Sequence, residues 1–181
     1  MTLRFSTASQ CGAACVAALA ALVATAPRAE PAAPAPKPCM TPEYRQFDFW
    51  LGDWSVANAD GRVIGANRIE SLEGGCVLQE HWSAVRGGTG TSLSAWDAER
   101  QRWHQTWVDA GGGVALLDGA FADGRMVLSG DAVDREHART LRNRITWIPL
   151  ADGRVRQTWE QSEDAGATWK TVFDGYYARK P

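Results

Sequence analysis

Polar and apolar residues alternate over short segments along most of the chain, with a turn signal roughly every ten residues. Alternation with a period of two is typical of β-strands that have one buried face. Such segments begin at Cys76, Ser92, Trp103, Arg125, Asn143 and Arg154, and another ends at Tyr177. We predict an all-β fold, a single antiparallel up-and-down barrel of about ten strands, because closing the sheet removes its exposed edges.

The turns between these segments are rich in glycine. The tetrapeptide Ala-Asp-Gly-Arg occurs three times, starting at Ala59, Ala122 and Ala151. Asp-Gly between apolar runs predicts a hairpin with a type I′ turn, in which both central residues have positive φ. A short N-terminal helical turn is predicted in "TPEYRQF", where Thr41 suits the N-cap and Pro42 the first helical position.

The first 38 residues do not look like part of a folded domain. Residues 1–26 are predicted to be a signal peptide, because residues 11–26 form an apolar run of small residues that is too short to span a membrane. Residues 27–38 form a Pro/Ala-rich linker, and residues 39–181 form the barrel domain. We therefore expect a periplasmic or secreted protein with no membrane span after cleavage; the oligomeric state stays open.

Charge and cysteine content narrow the class of protein. The whole chain carries a formal charge of −2, and residues 1–38 hold three basic side chains and one acidic one, so the predicted domain carries −4. This acidic balance argues against nucleic acid as a partner. Two of the four cysteines, Cys39 and Cys76, remain after processing, and an exported chain with two cysteines most simply forms one disulfide.

The stretch "FDFWLGDWSV" places two Phe and two Trp within ten residues. A helical turn followed by Gly52-Asp53-Trp54 resembles the start of the calycin (lipocalin-like) superfamily. That resemblance implies that Trp54 packs at the barrel floor beneath a basic residue from the end of the last strand, which here is Arg179. More closely, this stretch with "GCVLQEHW", "WHQTWVD" and "FDGYY" is similar to an uncharacterised exported bacterial family with this barrel, which implies a fold and a compartment but no activity.

Sorting each strand by its period of two predicts which side chains face the lumen. Inward faces repeatedly pair a polar residue with a Trp two positions later. The candidate lumen residues are Glu80, Trp82, Ser94, Trp96, Gln105, Trp107, Asn143, Trp147, Gln157 and Trp159. Flat rings with a few polar groups suit a pocket for a small hydrophobic or aromatic ligand, but in a small barrel the same side chains can simply fill the interior.

Other functions have weaker support. Glu80, alone or with Asp109, could transfer a proton if both carboxyls face one lumen, which would make the protein an enzyme. A structural or interaction protein of the envelope would show a large apolar patch outside, which the sorted outward faces do not supply. His81, His104 and His137 have no metal-ligand spacing, so we predict no metal site and no cofactor, and we expect a binding protein without catalysis.

Overall fold

The structure is a computed structural model that describes residues 38–134 and 137–181. The predicted signal peptide and all of the predicted linker except Pro38 lie outside the described residues. The described chain forms a closed antiparallel barrel of ten strands in which each strand pairs with its neighbours in sequence and β1 pairs with β10. The predicted fold class is confirmed. Within the part of the chain that the structure describes, no helix is long and apolar enough to cross a membrane.

The helix α1 (Pro42–Arg45) and a 3₁₀ turn (Asp48–Trp50) precede the barrel. The strands are β1 (Gly52–Ala57), β2 (Val63–Leu72), β3 (Val77–Ala84), β4 (Thr89–Asp97), β5 (Arg102–Asp109), β6 (Val114–Ala122), β7 (Arg125–Asp134), β8 (Arg139–Pro149), β9 (Val155–Ser162) and β10 (Lys170–Arg179). Pro42 occupies the first helical turn as predicted, while the Thr41 hydroxyl donates to the Glu43 carboxylate at 2.6 Å and not to the helix backbone.

The aromatic residues before β1 close one end of the barrel. Phe47, Trp50 and Trp54 are fully buried. The Phe47 ring centroid lies 5.6 Å from that of Trp103 on β5 and 5.1 Å from that of Trp147 on β8. This cluster of Phe47, Trp50, Trp54, Trp103 and Trp147, which we call the floor, is therefore built from the segment before β1, from β1 itself and from β5 and β8.

Trp54 is held from three directions. Its indole N–H donates to the Trp50 carbonyl at 2.9 Å, and its ring centroid lies 6.3 Å from that of Tyr177. The Arg179 guanidinium carbon lies 4.5 Å from the Trp54 ring centroid, the cation–π contact expected from the sequence. In the register, Trp54 lies opposite Arg179, so this contact sits where the first and last strands meet.

Two bonds fasten the N-terminal segment to the turn between β2 and β3. Cys39 and Cys76 form the predicted disulfide, with Cα atoms 5.0 Å apart. The Arg45 guanidinium donates to the carbonyl of the neighbouring Gly75 and lies 3.4 Å from the Asp48 carboxylate. The disulfide indicates an oxidising environment outside the cytoplasm.

The outer face of β4–β6 carries four exposed aliphatic side chains, Leu93, Val108, Val114 and Leu116. Val108 pairs directly with Val114, and Leu93 and Leu116 lie on either side of Thr106. The sequence did not indicate this patch because β6 was not among the strands sorted into faces.

Candidate functional site

The barrel interior is not completely filled above the floor. A cavity of about 100 Å³, partly open to solvent, lies inside the barrel. Its walls come from β3, β5, β6, β8, β9 and β10, and its lining residues are Glu80, Trp82, Gln105, Trp107, Ala115, Ile145, Gln157, Trp159, Phe173 and Tyr177. This is room for several water molecules or for a small organic group, and the opening to solvent leaves space for the rest of a larger molecule.

Glycines on neighbouring strands leave room for two of the indole rings to lie against the barrel wall. A Cβ atom built on Gly65 of β2 would lie 2.7 Å from Cζ2 of Trp82. A Cβ atom on Gly90 of β4 would overlap the Trp107 ring more closely than real Cβ atoms ever approach another atom. Because each ring occupies the space of the missing side chain, the rings border the cavity and do not fill it.

The other two rings of the cavity are positioned by a glycine of the same strand and by a hydrogen bond. A Cβ atom on Gly175 would lie 2.6 Å from Cζ of Phe173, so this ring also lies over a glycine. The Trp159 indole N–H donates to Oδ1 of the buried Asn143 at 2.9 Å, and the same oxygen accepts a bond from Gln161 at 3.1 Å. Trp82, Trp107, Trp159 and Phe173 are all half-buried, as expected for rings that separate a cavity from solvent.

A network of polar side chains forms the other wall of the cavity. Glu80 is 5% exposed and accepts bonds from Asn67 Nδ2 at Oε1 and from Ser92 Oγ at Oε2, both at 2.7 Å. Gln105 Nε2 donates to the Ser92 hydroxyl at 3.3 Å and to the Ser94 hydroxyl at 3.0 Å. Each oxygen of the Glu80 carboxyl is thus fixed by a neutral donor.

Tyr177 connects this network to the far side of the cavity. Its hydroxyl donates to Oε1 of Gln157 on β9 and accepts a bond of 3.4 Å from Asn67 Nδ2. The Asn67 Oδ1 atom is buried and has no hydrogen-bond partner among the described residues. The polar groups therefore form one continuous chain from β2 and β4 across to β9 and β10.

The electrostatics of the cavity are dominated by one buried acid. Burial raises the pKa of the Glu80 carboxyl from 4.5 to about 7, although the bonds from Asn67 and Ser92 favour its charged form. Burial, together with the negative charge of Glu80, raises the pKa of the Tyr177 hydroxyl well above its ordinary value of 10. Glu80 is thus poised to gain or lose a proton near neutral pH, while Tyr177 stays protonated.

The structure brings six of the ten candidate lumen residues to the cavity wall. These six are Glu80, Trp82, Gln105, Trp107, Gln157 and Trp159. The other four are also turned inward but do not line the cavity. Ser94 supports Gln105, and Asn143 supports Trp159. Trp147 belongs to the floor. Trp96 lies beside the floor, with its ring centroid 6.5 Å from that of Trp103.

The proposed pairing of Asp109 with Glu80 is wrong. The Asp109 carboxylate accepts bonds from the backbone N–H groups of Gly111 at 2.8 Å and Gly113 at 2.9 Å. It therefore shapes the turn that connects β5 to β6, because an Asp side chain readily binds the backbone of a turn that follows it. Asp109 is not among the residues that line the cavity.

Six residues of the site were not among the sequence candidates: Ala115, Ile145, Phe173 and Tyr177 line the cavity, and Asn67 and Ser92 bind the Glu80 carboxyl. Asn67 and Tyr177 complete the Glu80 network, and Phe173 supplies the fourth ring. For Asn67 only a partial signal was present, since Arg68 and Glu70 flank the inward Ile69 but the apolar Ala66 precedes Asn67 in β2. For Phe173 and Tyr177 the alternation is hidden, because Tyr176 and Tyr177 are adjacent and a register shift lies between Thr171 and Phe173.

Both His81 and His104 lie on the outer face of the barrel. His81 Nε2 is 3.5 Å from the Glu70 carboxylate on the outside. His104 lies between Asp118, 2.8 Å from Nδ1, and the Thr106 hydroxyl, 3.0 Å from Nε2. This order of groups resembles that of a catalytic triad, but it lies on the outer face of the sheet, away from the cavity.

Within residues 38–134 and 137–181, no three His, Cys, Asp or Glu side chains lie together so that they could share a metal ion.

Comparison with known proteins assigns no function to this site. No protein-family model matches the chain, and no curated protein is similar to it.

Proposed function

We propose that this chain is a binding protein of the calycin type, located in the periplasm or outside the cell, that takes a small apolar or aromatic molecule into its lumen without catalysing a reaction. The observation that carries the proposal is the cavity bordered by Trp82, Trp107, Trp159 and Phe173. The apolar run near the N-terminus and the Cys39–Cys76 disulfide support an exported location.

The shape of the lumen favours binding over a purely structural role. A barrel kept only for stability gains most from a tightly filled core, since empty space forfeits dispersion contacts. Here glycines at positions 65 and 90 keep two large rings against the wall, where both rings border the cavity. An apolar ligand would recover those contacts and remove ring surface from water, which is worth about 25 cal/mol per Å² of apolar surface.

Titration with the neutral, hydrophobic, fluorescent probe N-phenyl-naphthylamine tests this proposal. We expect saturable binding at one site, with a rise in probe emission and a change in tryptophan emission. Trp107→Ala should weaken binding at least about tenfold because it removes a wall of the cavity.

The matched control is Trp96→Ala, since the sequence placed Trp96 in the lumen and the structure places it beside the floor. This variant should retain the affinity within about threefold. Absence of saturable binding to the wild-type protein, or equal losses in the two variants, would contradict the proposal.

A second candidate function is proton transfer by Glu80 on a bound substrate. It is favoured by the pKa of about 7, which lies close to the value at which a side chain works best as a general acid or base near neutral pH. Asp109 has no part in this alternative. Following the Glu80 carboxyl carbon by NMR over a pH range tests it, and a pKa near the unperturbed value of about 4.3 would remove the basis for catalysis.

A further inference from the structure

The charges of the lumen are unbalanced. Among its ten lining residues only Glu80 and Tyr177 can ionise, and none is Lys, Arg or His. Two arginines on strands that line the cavity point outward, since Arg144 pairs with Glu160 and Arg156 with Asp174 on the sheet exterior. Glu80 is therefore a buried acid whose neighbours in the cavity carry no positive charge.

The hydrogen bonds to Glu80 are suited to its ionised form. Asn67 and Ser92 each donate a proton to one of the carboxyl oxygens, as they would to a carboxylate. Burial opposes that form because it removes water from the charge. What the site lacks for a stable carboxylate is a cation, and a buried charge without a partner is costly.

The aromatic rings beside Glu80 are a second feature of the lumen that favours binding of a cation. Trp82 follows Glu80 by two residues on the same face of β3, and the Phe173 ring lies against it at 5.8 Å in an edge-to-face arrangement. Trp107 and Trp159 border the same space. The faces of aromatic rings attract ammonium groups, and Trp does so most strongly.

We propose that the ligand of the lumen is an organic cation, a protonated amine or a quaternary ammonium ion, whose charge lies beside Glu80 and whose apolar substituents contact the rings of Trp82, Trp107 and Trp159. This inference rests on the proposed function and specifies the chemical class of its ligand. The domain charge of −4 would attract such a ligand over a longer range.

The inference also predicts how binding depends on pH. The groups around Glu80 from β2, β4, β5 and β9 are Asn67, Ser92, Gln105 and Gln157, which do not titrate. Tyr177 on β10 stays protonated, since burial raises its pKa well above 10. Cation affinity should therefore follow the ionisation of Glu80 alone.

The test compares the phenyltrimethylammonium ion with its neutral carbon isostere tert-butylbenzene, by calorimetry and tryptophan emission. At pH 8 the cation should bind at least about tenfold more tightly than the isostere. With a Glu80 pKa of about 7, lowering the pH to about 5.5 should weaken cation binding at least about sevenfold, toward the affinity of tert-butylbenzene, whose own binding stays constant.

Two variants with the same change of net charge complete the experiment. Glu80→Gln should bring the ratio of the two affinities to about one. Glu70→Gln, which removes a half-exposed carboxylate on the outer face of β2, should leave that ratio unchanged. A ratio that changes equally in both variants would mean that the general charge of the domain, and not Glu80, selects the cation, and would overturn the inference.

The remaining outcomes separate this inference from the proposed function. If tert-butylbenzene binds as tightly as the cation, or if N-phenyl-naphthylamine binds but the cation does not, the cation inference is wrong and the lumen remains a site for neutral molecules. If none of the three probes binds, the proposed function fails as well.

Discussion

At the scale of single residues, Glu80 should make stability depend on pH. Its folded pKa is raised from 4.5 to about 7, so the folded state holds the proton to higher pH than the unfolded state. The contribution of Glu80 is therefore most favourable below about pH 4.5 and is lost as the pH rises through 7. The loss should reach about 3 kcal/mol of unfolding free energy at pH 8.

Glu80→Gln has no such titration, so its stability relative to the wild type should rise by about 3 kcal/mol between pH 4.5 and pH 8. Urea denaturation of both proteins at the two pH values measures this difference. Glu70→Gln is the control and should show no comparable gain, because the Glu70 carboxylate is exposed and lies 3.2 Å from Arg68. A constant difference between wild type and Glu80→Gln would show that the Glu80 carboxyl is not desolvated.

The face of each residue was more predictable than its role. A period of two placed Glu80 and Gln105 inside the barrel, and both are buried there. The same rule places Asp109 on the inward face, but its carboxylate accepts hydrogen bonds from the backbone N–H groups of the next turn. Alternation decides on which side of a strand a residue lies, whereas local turn chemistry decides what its side chain binds at the strand end.

At the scale of elements, the glycines opposite the rings should set the size of the cavity. Gly90 of β4 has no positive φ, so alanine is compatible with its backbone conformation. Gly90→Ala would instead force the Trp107 ring toward the lumen, at a cost of about 1–3 kcal/mol for overpacking. We expect lower stability and weaker probe binding, measured by denaturation and by N-phenyl-naphthylamine titration.

A double-mutant cycle identifies the cause of this effect. In the Trp107→Ala background the added methyl group has no ring to displace, so Gly90→Ala should cost much less stability there than in the wild type. Additive costs would show that the methyl group acts on the strand and not through Trp107.

The turns show how far a short motif determines its local structure. At Asp123-Gly124 both residues have positive φ, as the predicted type I′ hairpin requires. In the other two Ala-Asp-Gly-Arg segments only Gly61 and Gly153 have positive φ. In these two turns the last hydrogen-bonded pair of the strands encloses three residues instead of two. The Asn58 N–H donates to the Arg62 carbonyl, and the Leu150 N–H donates to the Arg154 carbonyl. The motif predicts a hairpin, but the register of the flanking strands selects the turn type.

At the scale of the whole molecule, the Cys39–Cys76 disulfide should contribute substantially to stability. It joins residues separated by 37 positions, and closing a loop of this length in the unfolded chain is worth about 4 kcal/mol in the chain-entropy model. The double variant Cys39→Ser/Cys76→Ser should lose about that much unfolding free energy in urea. Wild-type protein treated with a reductant should match the variant, and an unchanged denaturation midpoint would show that the bond has no structural role.

Whether the lumen is open or filled could not be decided from the sequence. Trp82 and Trp107 would fill it if their rings pointed to the barrel axis, and they border it because Gly65 and Gly90 lie beside them on the neighbouring strands. The pairing that brings each glycine to its ring is visible only when the register between strands is known. The strand pattern was therefore sufficient for the barrel but not for its interior volume.

The pairing of β1 with β10 also sets the order in which this protein can acquire its structure. Trp54 meets Arg179 only when the last strand is available, so every earlier stage of synthesis leaves β1 and the most recently made strand with unpaired edges. Such edges readily pair with other chains, and contacts between distant parts of a sequence form slowly. We expect a chain that stops before β10 to assemble with other copies through its open strand edges. The ten residues of β10 are therefore needed to prevent newly synthesised chains from aggregating.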